Sequence, residues 1–525
     1  MKNTLWIPAA LSMVLLGACG GGGGEGSNAS NSSAVSAGSG GESGGTQQPP
    51  LTNDSMATAD YSPETRHSTS YCDDGVYPTQ WEWRQDKIQA SPQPATSGTP
   101  LIKHIRNGVV IATYSKLSGY RSTADNIDAH DTSVGPFRRM PYTQMADGDV
   151  FEIYPAVYEG EDQQIFVGPN VKNDAEFSAG KTYTPKNITI RGITVNGFRP
   201  VIKNPSSGAS SNTLNQALVY VGASENVTIE NIDVMDSDTG GSIGKAGIYV
   251  SGARDLTLKN VRVSGFKRHQ QNGIFGTAQN AGTLLMQGVE LEGNGGSGGP
   301  EHNAYLNGSA TDNNFTVKLQ GSWSHNAYYG HLFKSRAQVT ILEGNYFQGT
   351  RANGAVQAET YLVDVPEGGK LVARNNVFVK NFSGDNSNGA AITFAVEVGS
   401  PTKPFDTARP WGLTVEHNTF VAFSRFYDTQ SHRLYPFFFK STAPVAAADK
   451  VVRNNLFVGY CPTASQITSG YYGDSHAEGN FNDIDAAFRP RRPTMMNPSS
   501  IVGTLAYAHK NGTAARTTRA AGARD

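Results

Sequence analysis

Nine segments between residues 187 and 460 repeat one pattern: a short run of alternating apolar residues, a Gly, Asn or His corner, and a second short apolar run. "NVTIENIDVMDS", "DLTLKNVRVSGF", "TLLMQGVELEGN" and "KLVARNNVFVKN" are four of them. Alternation with period two marks a strand with one buried face, so each segment reads as two strands around a polar bend. With Gly192, Asn231, Asn260, Gly288, Gly321, Gly344, Asn375, His417 and Asn454 as register marks, successive corners stand roughly 23 to 42 residues apart. A constant unit with variable spacing implies that each turn of the chain carries its insertions in the same sector.

Such a unit cannot bury its apolar face alone. Stacked coil on coil, it becomes a parallel β-solenoid in which alternate residues point inward and the backbone bonds to the coils above and below. The corner asparagines suit a left-handed bend and are placed to stack as an amide ladder. A sandwich would show two-residue hairpin turns, and a propeller a regular blade period with Trp and Asp marks; neither is present. Fifty-nine glycines, with many Asn, Thr and Val, agree with turn-rich β structure. The pattern resembles the single-stranded right-handed parallel β-helix of pectate-lyase-like proteins over residues 145–460. "MADGDVFEIYPAVYEG" is similar to the first coil of that family. Residues 61–144 then form an N-terminal extension or cap, and 461–525 a C-terminal segment ending in the basic tail "AARTTRAAGARD".

The chain opens with Lys2 and the run "LWIPAALSMVLL", a charged start and a short apolar core of the secretory kind. "LGAC" (Leu16–Cys19) resembles a bacterial lipobox. The resemblance implies removal of residues 1–18, lipidation of Cys19 and attachment to the membrane through lipid alone. Gly20, where Asp is absent, resembles lipoproteins sorted to the outer membrane. Residues 19–60 are rich in Gly, Ser, Asn, Thr and Pro, and read as a flexible tether. Cys72 and Cys461 remain. An oxidising envelope would permit one disulfide between them, and their wide separation leaves that pairing open. A formal net charge of −2 gives no case for nucleic acid, and a monomer is expected.

Ionisable residues concentrate in consecutive coils: "PEHNAYLNG" (Pro300–Gly308), "SHNAYYGHLFKSRA" (Ser324–Ala337) and "AETYLVDVPEGG" (Ala358–Gly369), followed by "ITFAVEVG" (Ile392–Gly399). On equivalent strands their side chains would stack at about 4.8 Å per coil. That gathers Glu301, His302, Tyr305, His325, Tyr328, His331, Lys334, Arg336, Glu359, Tyr361, Asp364 and Glu397 on one face. The order "EHNxYxxG … GHxxKSRA" resembles a group of bacterial right-handed β-helix proteins defined by their fold.

Envelope β-helix proteins commonly act on acidic polysaccharides. Cleavage of a uronate by β-elimination needs a cation for the carboxylate, a base for the C5 proton and an acid for the leaving oxygen. Arg336 is the candidate cation, His331 or Lys334 the base, and Tyr305 or His302 the acid. His325, Tyr328, Glu359, Tyr361, Asp364 and Glu397 are the accompanying substrate-binding candidates. "FKSRA" resembles the lysine strand of chondroitinase-B-like and alginate lyases, whose arginine follows about a coil later, which implies Arg351 as a competitor of Arg336. The acidic calcium ligands of those enzymes have no recognisable counterpart, so no cofactor is fixed. Calcium enters through "DSDTGG" (Asp236–Gly241), with a plain turn as the alternative. A hydrolase would draw on Glu359, Asp364 and Glu397.

The quieter account makes Lys334 and Arg336 an ion-pair ladder to Glu359 and Glu397 in a non-catalytic glycan-binding or structural rod. Leu332 and Phe333 cannot both point inward on a regular strand, so the phase of His331 and Lys334 stays open. The expected function is a lipid-anchored polysaccharide lyase. The rod is its first rival and a glycoside hydrolase the second. Perturbed ionisable groups lining a groove would speak for the enzyme, and complete pairing of the same groups for the rod.

Overall fold

The computed structural model describes residues 92–118, 135–137, 145–160, 163–168, 185–204, 217–237, 245–296, 301–308, 314–349, 358–381, 390–423, 435–458 and 474–478. Cys19, Cys72, Cys461 and Arg351 lie outside them, as do the expected signal segment and tether. No described helix is long and apolar enough to cross a membrane.

The chain is a parallel β-helix. Each coil contributes strands to three ladders. The first holds nine described strands, from Ile165–Val167 through Ala217–Val221, Ala246–Val250, Asn272–Gly276, Ala304–Leu306, Phe333–Ser335, Val363–Val365 and Ala390–Phe394 to Tyr435–Phe439. The second carries the strand before each corner, such as Ser224–Glu230, and the third the strand after it, such as Asp233–Met235. Inside, like stacks on like. Phe151, Ile190, Ile229, Leu258, Met286, Leu319, Leu342, Ala373, Val415 and Val452 form one inward column of successive partners. Phe347, Phe378 and Phe420 stack in another, with ring centroids 5.1 and 4.7 Å apart. These buried columns supply the hydrophobic term that holds the coils together.

Seven of the nine corner residues are left-handed: Asn231, Asn260, Gly288, Gly321, Gly344, Asn375 and His417 have φ between 52° and 64°. Gly192 is glycine for another reason, because a Cβ there would lie 1.9 Å from the Asn231 carbonyl oxygen. Asn454 falls at the register of the His417 corner, between the Arg453–Glu416 and Leu456–Thr419 pairings, within one strand, Lys450–Val458, that joins both ladders. The amide ladder also differs from expectation. It is built by the residue after each corner, Asn345, Asn376, Asn418 and Asn455, all fully buried. The Nδ2 of each of the first three donates to the next Oδ1 at 2.9 to 3.0 Å, and that of Asn455 to the Val415 carbonyl. A left-handed residue turns its own side chain outward and hands the interior to its successor.

Insertions fall in two sectors rather than one. Some lie between the third ladder and the next coil, as at 293–303, and others between the first and second ladders, as at 395–411. The N-terminal end carries a hairpin, Ile102–Arg106 with Val109–Tyr114, that pairs antiparallel with Val150–Ile153. Its turn is Asn107–Gly108, both with positive φ, the favoured chemistry of a tight hairpin. At the other end, Asp474–Glu478 adds a parallel strand to Lys450–Val458, so the stack continues past residue 460.

Candidate functional site

The outward column of the first ladder is aromatic for five coils and then turns polar. Phe166, Tyr220, Tyr249, Phe275 and Tyr305 are successive partners, with centroids 5.4 to 6.1 Å apart. Lys334, Asp364 and Thr393 continue the same column. Strand alternation turns Phe333 and Ser335 inward and Lys334 outward. Leu332 sits in the bend before the strand, so it and Phe333 are both fully buried, and His331 and Lys334 reach the same acid. The phase left open by the sequence therefore has neither of its two simple answers.

That acid is Asp364, 2% exposed. It lies 3.0 Å from Lys334 Nζ and 3.2 Å from His331 Nε2, and accepts a hydrogen bond from the Thr393 hydroxyl. Burial pushes its carboxyl up, but the His331 ring, the Lys334 ammonium and the Thr393 hydroxyl hold it well below the usual carboxylate range. Two coils on from Lys334, Glu397 places Oε1 3.1 Å from Lys334 Nζ and Oε2 2.7 Å from Arg336 Nη2. Burial works against the charged Glu397 too, and the two cations outweigh it, keeping this carboxyl below its ordinary value. Arg336 donates Nε–H to the Tyr305 hydroxyl oxygen at 2.9 Å and Nη1–H to Glu367 at 2.7 Å. Arg409 and Lys403 complete the network from the 395–411 insertion, at 2.6 and 3.4 Å from Glu367.

The two histidines are stacked, with centroids 4.4 Å apart and planes 11° from parallel. The His331 backbone N–H donates to His302 Nδ1 at 2.8 Å, and the Tyr361 N–H to His331 Nδ1 at 3.2 Å. Both rings therefore carry their proton on Nε2. His331 points it at Asp364; that of His302 has no partner among the described residues. Burial lowers both imidazoles, the neighbouring His331 and Lys334 lower His302 further, and Asp364 only partly offsets the effect on His331. Tyr361 covers the other face of His331 at 5.0 Å.

Several expected roles need correction. Burial disfavours the Lys334 ammonium, yet Asp364 and Glu397 prevail and raise it above the ordinary lysine range, so Lys334 is a cation and not a base. His331 has both nitrogens engaged, which removes it as a base as well. Arg336 is present as a cation but already spans Tyr305, Glu367 and Glu397. Asp364 and Glu397 are both held ionised, so neither is the protonated carboxyl a hydrolase requires. Glu359 pairs its backbone with Gly330 in a two-stranded ladder. Glu301 is buried and accepts the Gln270 N–H.

Two other candidates fall elsewhere. Tyr328 is 39% exposed and packs edge-on against Tyr329. His325 belongs to a buried cluster on the third ladder, stacked on Trp323 and 3.2 Å from Glu290. Glu290, Glu292 and His325 bring potential metal-ligand atoms within 4.8 Å of one another. Arg262 sits among them, paired with both glutamates, and supplies the positive charge a cation would bring. Of "DSDTGG", Asp238–Gly241 lie outside the described residues; Asp236 Oδ1 meets Arg268 at 2.9 Å and accepts from Asn204 at 2.6 Å. Sequence reasoning assigns no role to Glu367 or Thr393, although both lie in the ionisable stretches, nor to Lys403 and Arg409. Thr393 was findable from ladder register, but Lys403 and Arg409 lie in an insertion without period.

No family model and no curated protein matches this chain. Among solved structures it is similar to the crystal structure of pectate lyase Pel9A, at 12% sequence identity and a TM-score of 0.39, over 69% of this chain and 81% of that one.

Proposed function

We propose that this protein is a carbohydrate-active β-helix that cleaves a uronate-containing glycan by β-elimination at the Tyr305–Lys334–Arg336 cluster. One observation carries the proposal. Lys334 and Arg336 grip the two oxygens of a single carboxylate, that of Glu397, at 3.1 and 2.7 Å, with the Tyr305 hydroxyl 2.9 Å from Arg336 Nε. A uronate carboxylate held in the same way would have its charge neutralised where negative charge develops. Its sugar ring would then lie over Tyr305.

A single phenol can serve both proton transfers. The Tyr305 oxygen takes the C5 proton as its own proton passes to solvent, the C5–H electrons form the C4=C5 double bond, and the C4–O4 bond breaks. The phenol then returns the proton to O4 of the departing sugar. Lys334 and Arg336 are the electrostatic stabilisers, and the neutral His302 Nε2–H is a donor for a sugar hydroxyl or the leaving oxygen. Asp364 fixes the Lys334 ammonium and the His331 ring in place.

A second reading, glycan binding without cleavage, is supported by the pairing of every cation in the cluster: Lys334, Arg336, Lys403 and Arg409 each meet a carboxylate. The test is ultraviolet absorbance from the new conjugated double bond during incubation with uronic-acid polysaccharides, with and without calcium. Tyr305→Phe keeps the ring on Phe275 and should lower the rate by about a hundredfold or more while leaving glycan affinity near wild type. Binding with neither absorbance nor new reducing ends would sink the lyase and leave the binding protein.

A further inference from the structure

We propose that Glu397 is an internal stand-in for the substrate carboxylate, displaced when an acidic glycan enters; this rests on the carboxylate cradle proposed above. The carboxylates around Lys334 and Arg336 differ in how they are held. Asp364 is sealed in, its side chain 3% exposed and tied to His331 and Thr393 as well as Lys334. Glu367 is about as exposed as Glu397, at 24%, but is tied to Arg336, Arg409 and Lys403 and touches only one of the two cradle cations. Glu397 is the one that bridges both cradle cations, one oxygen to each, and at 25% exposure it is more open than Lys334 at 9% or Arg336 at 12%. It therefore stands on the solvent side of the cations it neutralises, where an incoming carboxylate would arrive.

Its departure leaves no charge bare. Lys334 keeps Asp364, and Arg336 keeps Glu367 and the Tyr305 hydroxyl. Glu397 itself keeps Lys403, 3.3 Å from Oε2 and 44% exposed. One carboxylate replaces another, so the exchange is close to neutral in charge, and the unfavourable burial of two unpaired cations is avoided. Glu397 sits on a turn, its N–H bonded to the Pro366 carbonyl, and is not on a ladder strand. A side-chain rotation withdraws the carboxylate without breaking a coil. The device also sets specificity. A neutral sugar offers nothing to replace Glu397, whereas a uronate completes the cradle again.

The experiment measures binding of uronic-acid hexasaccharides, and of the same oligosaccharides with their carboxyls reduced to alcohols, to full-length wild type, Glu397→Gln and Glu397→Asp. Folding of each variant is checked by thermal melting. Glu397→Gln removes the competitor's charge, and Glu397→Asp draws it back by one methylene. Both should bind the acidic oligosaccharide about tenfold tighter or more, a difference of about 1.4 kcal/mol, with reduced oligosaccharides unaffected. Wild type that binds acidic glycan while neither folded variant binds it more tightly would overturn the stand-in and leave the cradle intact. Equal tightening toward the reduced oligosaccharides would overturn it too, since carboxylate exchange would not be the cause. Absence of acidic-glycan binding by all three proteins would overturn the cradle and the stand-in together.

Discussion

Acidification from pH 7.5 to 5.5 is expected to destabilise the β-helix through His302 and His331. The rings are 2% and 7% exposed and carry their protons on Nε2 because each Nδ1 accepts a backbone N–H. A second proton on Nδ1 would set donor against donor, and burial opposes the charge. Both imidazoles are held below the ordinary histidine range. The unfolded chain therefore binds more protons in this window, and stability is full above about pH 6.5 and falls as the pH drops below it. If both rings stay neutral in the fold, each costs about 1.4 kcal/mol at pH 5.5, about 2.8 kcal/mol together. At about 2.1 cal/mol/K per residue over roughly 350 residues, that lowers Tm by about 3 to 4 °C. Asp364 and Glu397 do not interfere. Their carboxyls are held below the usual range, so their contribution is present above about pH 4.5 and is lost only on further acidification. His302→Asn/His331→Asn keeps an acceptor oxygen where each Nδ1 stood and removes the titration. Melting curves of the two proteins across the interval decide the matter. A flat wild-type profile, or a slope that the double variant keeps in full, would refute the assignment of the histidines as buried neutral rings.

Asn376→Ala removes the oxygen that accepts both the backbone N–H and the Nδ2 of Asn345, at 2.9 Å each. Urea unfolding should show a loss of about 2 to 4 kcal/mol, with cleavage per folded molecule unchanged. Gly330→Ala puts a Cβ 1.9 Å from the Glu301 carbonyl oxygen and 2.3 Å from His302 Nδ1, at a residue with φ of +72°. It should lower stability by at least about 2 kcal/mol and weaken glycan cleavage, read by melting and by the double-bond absorbance; an unaltered protein would show that the histidine stack tolerates displacement.

The coil pattern was legible because two local rules coincide at each repeat. Alternation fixes which residues face inward, and a Gly, Asn or His at the corner permits the left-handed bend, as Asn375 and His417 show with φ of 55° and 57°. Asn454 keeps the register of His417, and its successor Asn455 continues the amide ladder. The terminal hairpin at Asn107–Gly108 carries an ordinary turn signal but stands alone, outside the repeats, within the N-terminal extension. The amide ladder was displaced by one residue, since the left-handed position that favours Asn is also the position whose side chain leaves the core.

The chemistry of Lys334 was the harder part, because it depends on residues that ladder register brings in from far along the chain. "GHLFKSRA" suggests a base as readily as a cation. The choice is made by Asp364, one coil away, and by Glu397, 63 residues away. Had neutral side chains stood at both Asp364 and Glu397, burial alone would push the ammonium down toward the range of a base. With two carboxylates in reach the balance reverses, and the role of base moves off the lysine. In the proposed lyase it falls to Tyr305, whose oxygen accepts the Arg336 Nε–H and whose ring meets Phe275 edge-on at 5.5 Å. The aromatic column of the first ladder thus sets the place of the hydroxyl on which the proposed proton transfer depends.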